Sequence, residues 1–173
     1  LVRCEMVNAF GVKATNQHFK MHLPEKDTFF LELQGNDWGI LRNDIKIVEE
    51  VLKECGYCSE YRYAEMDEVD NVWEARRGCY PATFGVRGVK GVKVFPSDVC
   101  VPVPKIAEVI ATTEKDFQDA GFPCILCCHI IDGNFHCSIP FLPHEKEKLH
   151  ELEGKMVDRA IAAGGTVSGE HGV

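Results

Sequence analysis

The chain has 173 residues, 45% of them hydrophobic, and its 19 Lys plus Arg against 27 Asp plus Glu give a formal charge of -8 at pH 7. This is a soluble globular composition, expected to fold as one domain over residues 1–173, and it excludes disordered and collagen-like classes. No apolar run approaches the ~20 residues of a membrane span, the opening Leu1-Val2-Arg3-Cys4-Glu5 lacks a signal-peptide layout, and scattered Lys and Arg on an acidic chain disfavour nucleic acid as a partner.

Taken in chain order, the first expected strand is 28–33, a β-rich run of Thr-Phe-Phe-Leu-Glu-Leu. Asn36 is a good helix N-cap, and Trp38, Leu41, Ile45, Val48, Leu52 and Cys55 recur at steps of three and four, so one amphipathic helix should run to a left-handed cap at Gly56. A short strand at 61–64 and a helix at 67–77 follow; the glycine-rich stretch 80–96 reads as loop. After a short apolar stretch at 99–101, Pro104 opens a helix with Ile106, Ile110, Phe117 and Ala120 on one face, stopped by Gly121 and Pro123. Two strands, 124–131 and 134–141, precede a last helix that begins near Pro143 and ends at Gly164-Gly165. The order implies an α+β domain, ferredoxin-like, with helices packed on one face of a largely antiparallel sheet. Most of the nine cysteines are read as small apolar residues, because an odd count without a signal peptide argues against a disulfide framework and the pairs Cys55/Cys58 and Cys124/Cys127 are too far apart for a paired zinc knuckle.

Asp132-Gly133 between two alternating runs signals a two-residue hairpin turn. In that register Ile131 opposes Asn134 and His129 opposes His136, with Cβ atoms roughly 4.5 to 5.5 Å apart. Cys127, His129, Ile131, Asn134, His136 and Ser138 then share one face; Leu126, Cys128, Ile130, Phe135, Cys137 and Ile139 share the other, the core side. Two opposed imidazoles suit one metal ion, although two unrelated half-buried histidines would fit the same pattern. Glu170, in the terminal Ser-Gly-Glu-His-Gly, is the best supplier of a third ligand, which leaves His171 as an acid or base. Arg76 and Arg77 are either a solvated pair or a carboxylate clamp, and Trp73 is either a core aromatic or a neighbour of the same site.

The string His129-Ile-Ile-Asp132-Gly133-Asn134-Phe135-His136, the downstream Ser168-Gly-Glu170-His171-Gly-Val, Trp73-Glu-Ala-Arg76 and Ser97-Asp98-Val-Cys-Val-Pro102 together resemble the flavin-linked oxidase C-terminal domain family from about Pro24 onward. Among its members the resemblance is to the mitochondrial, cytochrome-type D-lactate dehydrogenases. It implies that His129, His136 and Glu170 bind a divalent metal, Zn²⁺ or Mn²⁺, that Arg76 holds the substrate carboxylate, and that His171 takes the hydroxyl proton while hydride goes to FAD. It implies a cytochrome or quinone as electron acceptor in the parent protein, and a mitochondrial location; without the resemblance the cytoplasm is expected. Relatives that oxidise a dicarboxylate carry a lysine just before the aspartate that matches Asp98, whereas Pro96 and Ser97 stand here, so a small monocarboxylate such as D-lactate is the expected 2-hydroxy acid.

The chain departs from the family where Ile131 and Cys128 replace glycines, and nothing in it resembles the glycine-rich FAD-binding domain. It is therefore expected to be a piece of a longer flavoprotein, truncated at both ends, inactive alone and open to self-association through an uncovered apolar surface. The alternative is a non-catalytic interaction module of the same fold, for example actin-interacting. A free-standing metal hydrolase built on the same His, His and Glu set is a third reading.

Overall fold

A computed structural model describes residues 1–56, 63–64 and 68–172. In chain order it contains β1 (Arg3–Val7), α1 (Ala9–Phe19), β2 (Thr28–Glu32), α2 (Trp38–Glu54), α3 (Val69–Arg77), α4 (Cys79–Thr83), β3 (Lys93–Pro96), β4 (Val99–Cys100), α5 (Val103–Asp119), β5 (Ile125–His129), β6 (Asn134–Phe141) and α6 (Lys146–Ala162). The strands form one sheet in the order β2-β1-β5-β6-β3, with β4 also on β6 and every described pair antiparallel.

The α+β class and the antiparallel sheet stand as read from the sequence. Leu126, Cys128, Phe135, Cys137 and Ile139 bury one sheet face against Ile106, Val109, Ile110 and Phe117 of α5 and Leu149, Leu152 and Met156 of α6. Each large apolar side chain buried there contributes roughly 1.5–3 kcal/mol. The opposite face is covered too, by α1, α3 and α4, because Val7, Ile125 and Cys127 present apolar surface that Val12, Ala14, Ala75, Cys79 and Ala82 bury.

The first expected strand is in fact the second. β1 lies between β2 and β5, and α1 follows it under an N-cap at Asn8. The Asn8 side chain accepts from the backbone of Gly11 and Leu126 and donates to the Cys124 carbonyl, joining the start of α1 to β5. The expected loop at 80–96 contains α4 and β3: Cys79, Ala82 and Thr83 are buried, and Lys93–Pro96 pairs with β6. Asp37 rather than Asn36 caps α2, accepting from Gly39 and Ile40, and Gly56 takes the left-handed cap with φ +69. No α2 residue is buried among the described residues, and Trp38, Ile40, Ile47 and Val51 are exposed. The strand expected at 61–64 lies largely outside the described residues.

The hairpin register differs by two residues. His129 pairs with Asn134 and Cys127 with His136, so the connection is residues 130–133, and the carbonyl of His129 accepts from Asp132 and Gly133. On the other side of β5, Ile130 donates to the Cys4 carbonyl of β1, so the β1–β5 pairing runs one residue past the β5–β6 ladder. A slip of two keeps every side chain on its face, so the histidines still share one side of the sheet. Ile131 leaves the strand and is exposed in the turn.

Gly133 has φ +77, and a Cβ there would overlap the carbonyl oxygen of Val101, whose amide donates to Gly133. Gly133→Ala is expected to destabilise the protein by at least about 2 kcal/mol in urea unfolding, against about 1 for Gly91→Ala. Gly91 has the same sign of φ, +83, but open space around it. Equal costs at the two positions would show that the Val101 contact contributes nothing.

Candidate metal centre

His129 ends β5 and His136 stands on β6 diagonally across from it, with ring centroids 5.3 Å apart and nearly perpendicular at 84°. The third member arrives from the segment after α6. Thr166 forms a two-way backbone bridge with Cys100, and the chain then wraps around Asp98. One oxygen of that carboxylate, Oδ2, accepts from the Ser168 hydroxyl and from the backbone N–H groups of Gly169, Glu170 and His171, each at 2.9 Å. Gly169 packs against the Asn134 side chain, and a Cβ there would come within 2.6 Å of that amide and force it to move. Glu170 Oε1 is thereby placed 3.1 Å from His136 Nε2 and 3.6 Å from His129 Nε2.

The donor set fits a divalent metal. One ligand atom from each of His129, His136 and Glu170 lies within 4.8 Å of the others. Ligands bound at ~2.0–2.1 Å to a tetrahedral ion stand about 3.3 Å from one another, and the two His–Glu separations bracket that value. The outward nitrogens are also engaged. His129 Nδ1 is 2.8 Å from Glu5 Oε1, and His136 Nδ1 is 3.3 Å from the Ser97 carbonyl oxygen and 3.6 Å from Asp98 Oδ1. Acceptors there hold the proton on Nδ1 and leave the Nε2 lone pairs facing Glu170, the tautomer that binds metal.

The electrostatics follow the same plan. The hydrogen bond to Glu5 raises the His129 imidazole above its ordinary value against the opposing effect of burial. Burial lowers His136. Burial raises the Glu5 carboxyl, but the hydrogen bond from His129 and the charge of Arg76 outweigh it and hold the group below the ordinary carboxylate value. Asp98, despite its own burial, is brought to about 2 by the donors converging on it.

The structure brings together four of the five expected site residues directly: His129, His136, Glu170 and His171, whose ring lies 5.1 Å from that of His136 and whose Nε2 is 3.5 Å from Glu170 Oε1. Arg76 joins through Glu5, which accepts from its Nε at 3.0 Å and its Nη2 at 2.8 Å. Arg77 is exposed elsewhere, in a shallow cleft with Phe19, Asp70 and Glu74. Trp73 is half-buried and packs against the core: its ring centroid is 6.4 Å from that of Phe30, and Arg3 lies over it at 5.2 Å. Glu5 was not visible as a site residue; its only sequence signal is a carboxylate flanked by Cys4 and Met6 in a short alternating run.

A family model for FAD linked oxidases, C-terminal domain, matches residues 1–173. The chain belongs to this family. Membership extends through β1 and α1, upstream of Pro24, where the sequence resemblance was expected to begin. The chain is 30% identical, over 99% of its length, to the mitochondrial D-lactate dehydrogenase [cytochrome] of Arabidopsis thaliana. It is 34% identical over 86% of its length to the corresponding D-lactate dehydrogenase [cytochrome] 1 of Saccharomyces cerevisiae. A glycolate oxidase subunit of Escherichia coli is 27% identical over 98% of the chain. The match spans only 30%, 26% and 34% of these three relatives, so this family domain corresponds to about a third or less of their length.

Proposed function

We propose that this chain is the substrate- and metal-binding cap domain of an FAD-dependent D-2-hydroxyacid dehydrogenase acting on D-lactate. The observation that carries the reading is the convergence of His129, His136 and Glu170 with their Nε2 and carboxylate atoms inward. Zn²⁺ or Mn²⁺ held there lowers the cost of deprotonating an α-hydroxyl, and FAD bound by another part of the parent protein supplies the hydride acceptor. Glu5 occupies the Nε side of the Arg76 guanidinium, which leaves the terminal Nη edge to capture a carboxylate in a fork. In this reading His171, more than half exposed and with its Nε2 3.5 Å from Glu170, takes the hydroxyl proton as general base. Ser97 is buried with its hydroxyl accepting from the Cys137 amide, so it offers no charge for a second carboxylate; this favours a monocarboxylate. A cytochrome or quinone acceptor and a mitochondrial location belong to the same reading, and the names of the relatives support the cytochrome and the location.

The test is anaerobic reduction of the full-length flavoprotein. D-lactate should bleach the flavin and L-lactate should not, and His171→Ala should slow the bleach by about 10²–10⁴-fold. A parent protein with no flavin, or one indifferent to every D-2-hydroxy acid, overturns the reading.

A further inference from the structure

We infer that Glu5 is a positioning residue that serves the metal cage and the substrate clamp with one carboxylate, orienting His129 through Oε1 and Arg76 through Oε2. The inference rests on the proposed metal-dependent reading of the site and adds a residue to it. Its origin is the backbone: β1 pairs with β5 so that Glu5 stands directly opposite His129, and side chains at such positions meet. The division of labour is visible in the distances, 2.8 Å from Oε1 to His129 Nδ1 against 3.0 and 2.8 Å from Oε2 to Arg76 Nε and Nη2.

A purely stabilising ion pair is a poor explanation of this arrangement. The Glu5 and Arg76 side chains are only 12% and 15% exposed, and at such burial the desolvation of two charges consumes most of their mutual attraction. A role toward the site explains what stability does not, namely that the carboxylate reaches past Arg76 to a ring nitrogen. The two histidines also differ here. His136 faces a backbone carbonyl, with Asp98 at 3.6 Å and its other oxygen committed to the terminal loop, whereas His129 has a carboxylate oxygen of its own. Carboxylate partners of this kind orient the ring and raise its basicity as a ligand, and removing them typically weakens metal binding 10- to 100-fold.

The experiment uses the full-length protein stripped of metal by a chelator and titrated with Zn²⁺ against a chromophoric competitor, with the KM for D-lactate and the melting of the metal-free protein measured beside it. Glu5→Gln is expected to weaken Zn²⁺ binding by about 10- to 100-fold and to raise the KM for D-lactate. Arg76→Met should raise that KM but leave Zn²⁺ affinity within about threefold, because the Glu5–His129 bond survives. Should Glu5→Gln fail to fold because Arg76 is stranded, the double variant Glu5→Gln/Arg76→Met removes that charge and should still bind Zn²⁺ weakly. Wild-type Zn²⁺ affinity in a folded Glu5→Gln protein, or in the double variant, overturns the inference. A wild-type protein that binds no Zn²⁺ overturns instead the metal-cage reading on which it rests.

Discussion

His136→Ala in the full-length protein is expected to lower Zn²⁺ affinity by more than about 100-fold, so that roughly one equivalent retained by the wild type after dialysis falls to almost none. The imidazole it removes makes the shortest approach to Glu170, 3.1 Å against 3.6 Å for His129. Burial lowers its proton affinity, so at neutral pH it stands ready as a ligand without first releasing a proton. Two ligands would remain, and one of them, Glu170, is an exposed side chain on a terminal loop. His150→Ala is the control, since that histidine pairs with Glu153 on the surface of α6. Elemental analysis of both variants decides the matter. Full zinc in His136→Ala would remove β6 from the site and with it the cage, while loss in both variants would point to general damage.

Elements with a strong period were legible in the sequence, and interactions that depend on a third strand were not. α5 and α6 follow from Ile106, Ile110 and Phe117 and from Leu149, Leu152 and Met156 because each set repeats at helical spacing and is buried as a stripe. α1 escaped because its buried face is Gly11, Val12, Ala14 and Thr15, residues too small to mark an apolar stripe. α2 shows the converse: its apolar spacing is regular, yet none of its residues is buried among the described residues, since periodicity reports a face and not what covers it. In the hairpin, alternation identified which side chains share the site face, but not the register, because Asp132-Gly133 fits the four-residue turn 130–133, closed by two amides on the His129 carbonyl, as well as a two-residue one. The site divides in the same way. His129, His136, Glu170 and His171 are close in motif and were named from it, whereas Glu5 meets His129 across 124 residues of sequence and Arg76 across 71. Asp98 lay inside a recognised motif, but its action on backbone amides up to 73 residues away exists only after folding.

Asp98→Ala is expected to weaken Zn²⁺ binding and to slow flavin reduction by D-lactate, each by roughly 10-fold or more, while the metal-free domain melts within a few degrees of the wild type. The carboxylate is the latch of the terminal loop, because one oxygen collects the Ser168 hydroxyl and three consecutive amides that position Glu170 and His171. The loop buries little, so releasing it leaves the two cores intact; what is lost is the placement of a ligand and of the proposed base. A folded core with a disabled site is the signature, read by zinc titration, flavin reduction and thermal melting on the same sample. Asp98→Asn should fall between wild type and Asp98→Ala, since an amide oxygen still accepts but without charge. The pH dependence has a definite sign. A carboxyl depressed from 3.8 to about 2 adds stability that is fully present above its unfolded value and is lost as pH falls through the folded one. Protonation of Asp98 therefore does not release the loop between pH 5 and pH 8. Wild-type zinc affinity in Asp98→Ala would show that the terminal loop is held by something other than this carboxylate.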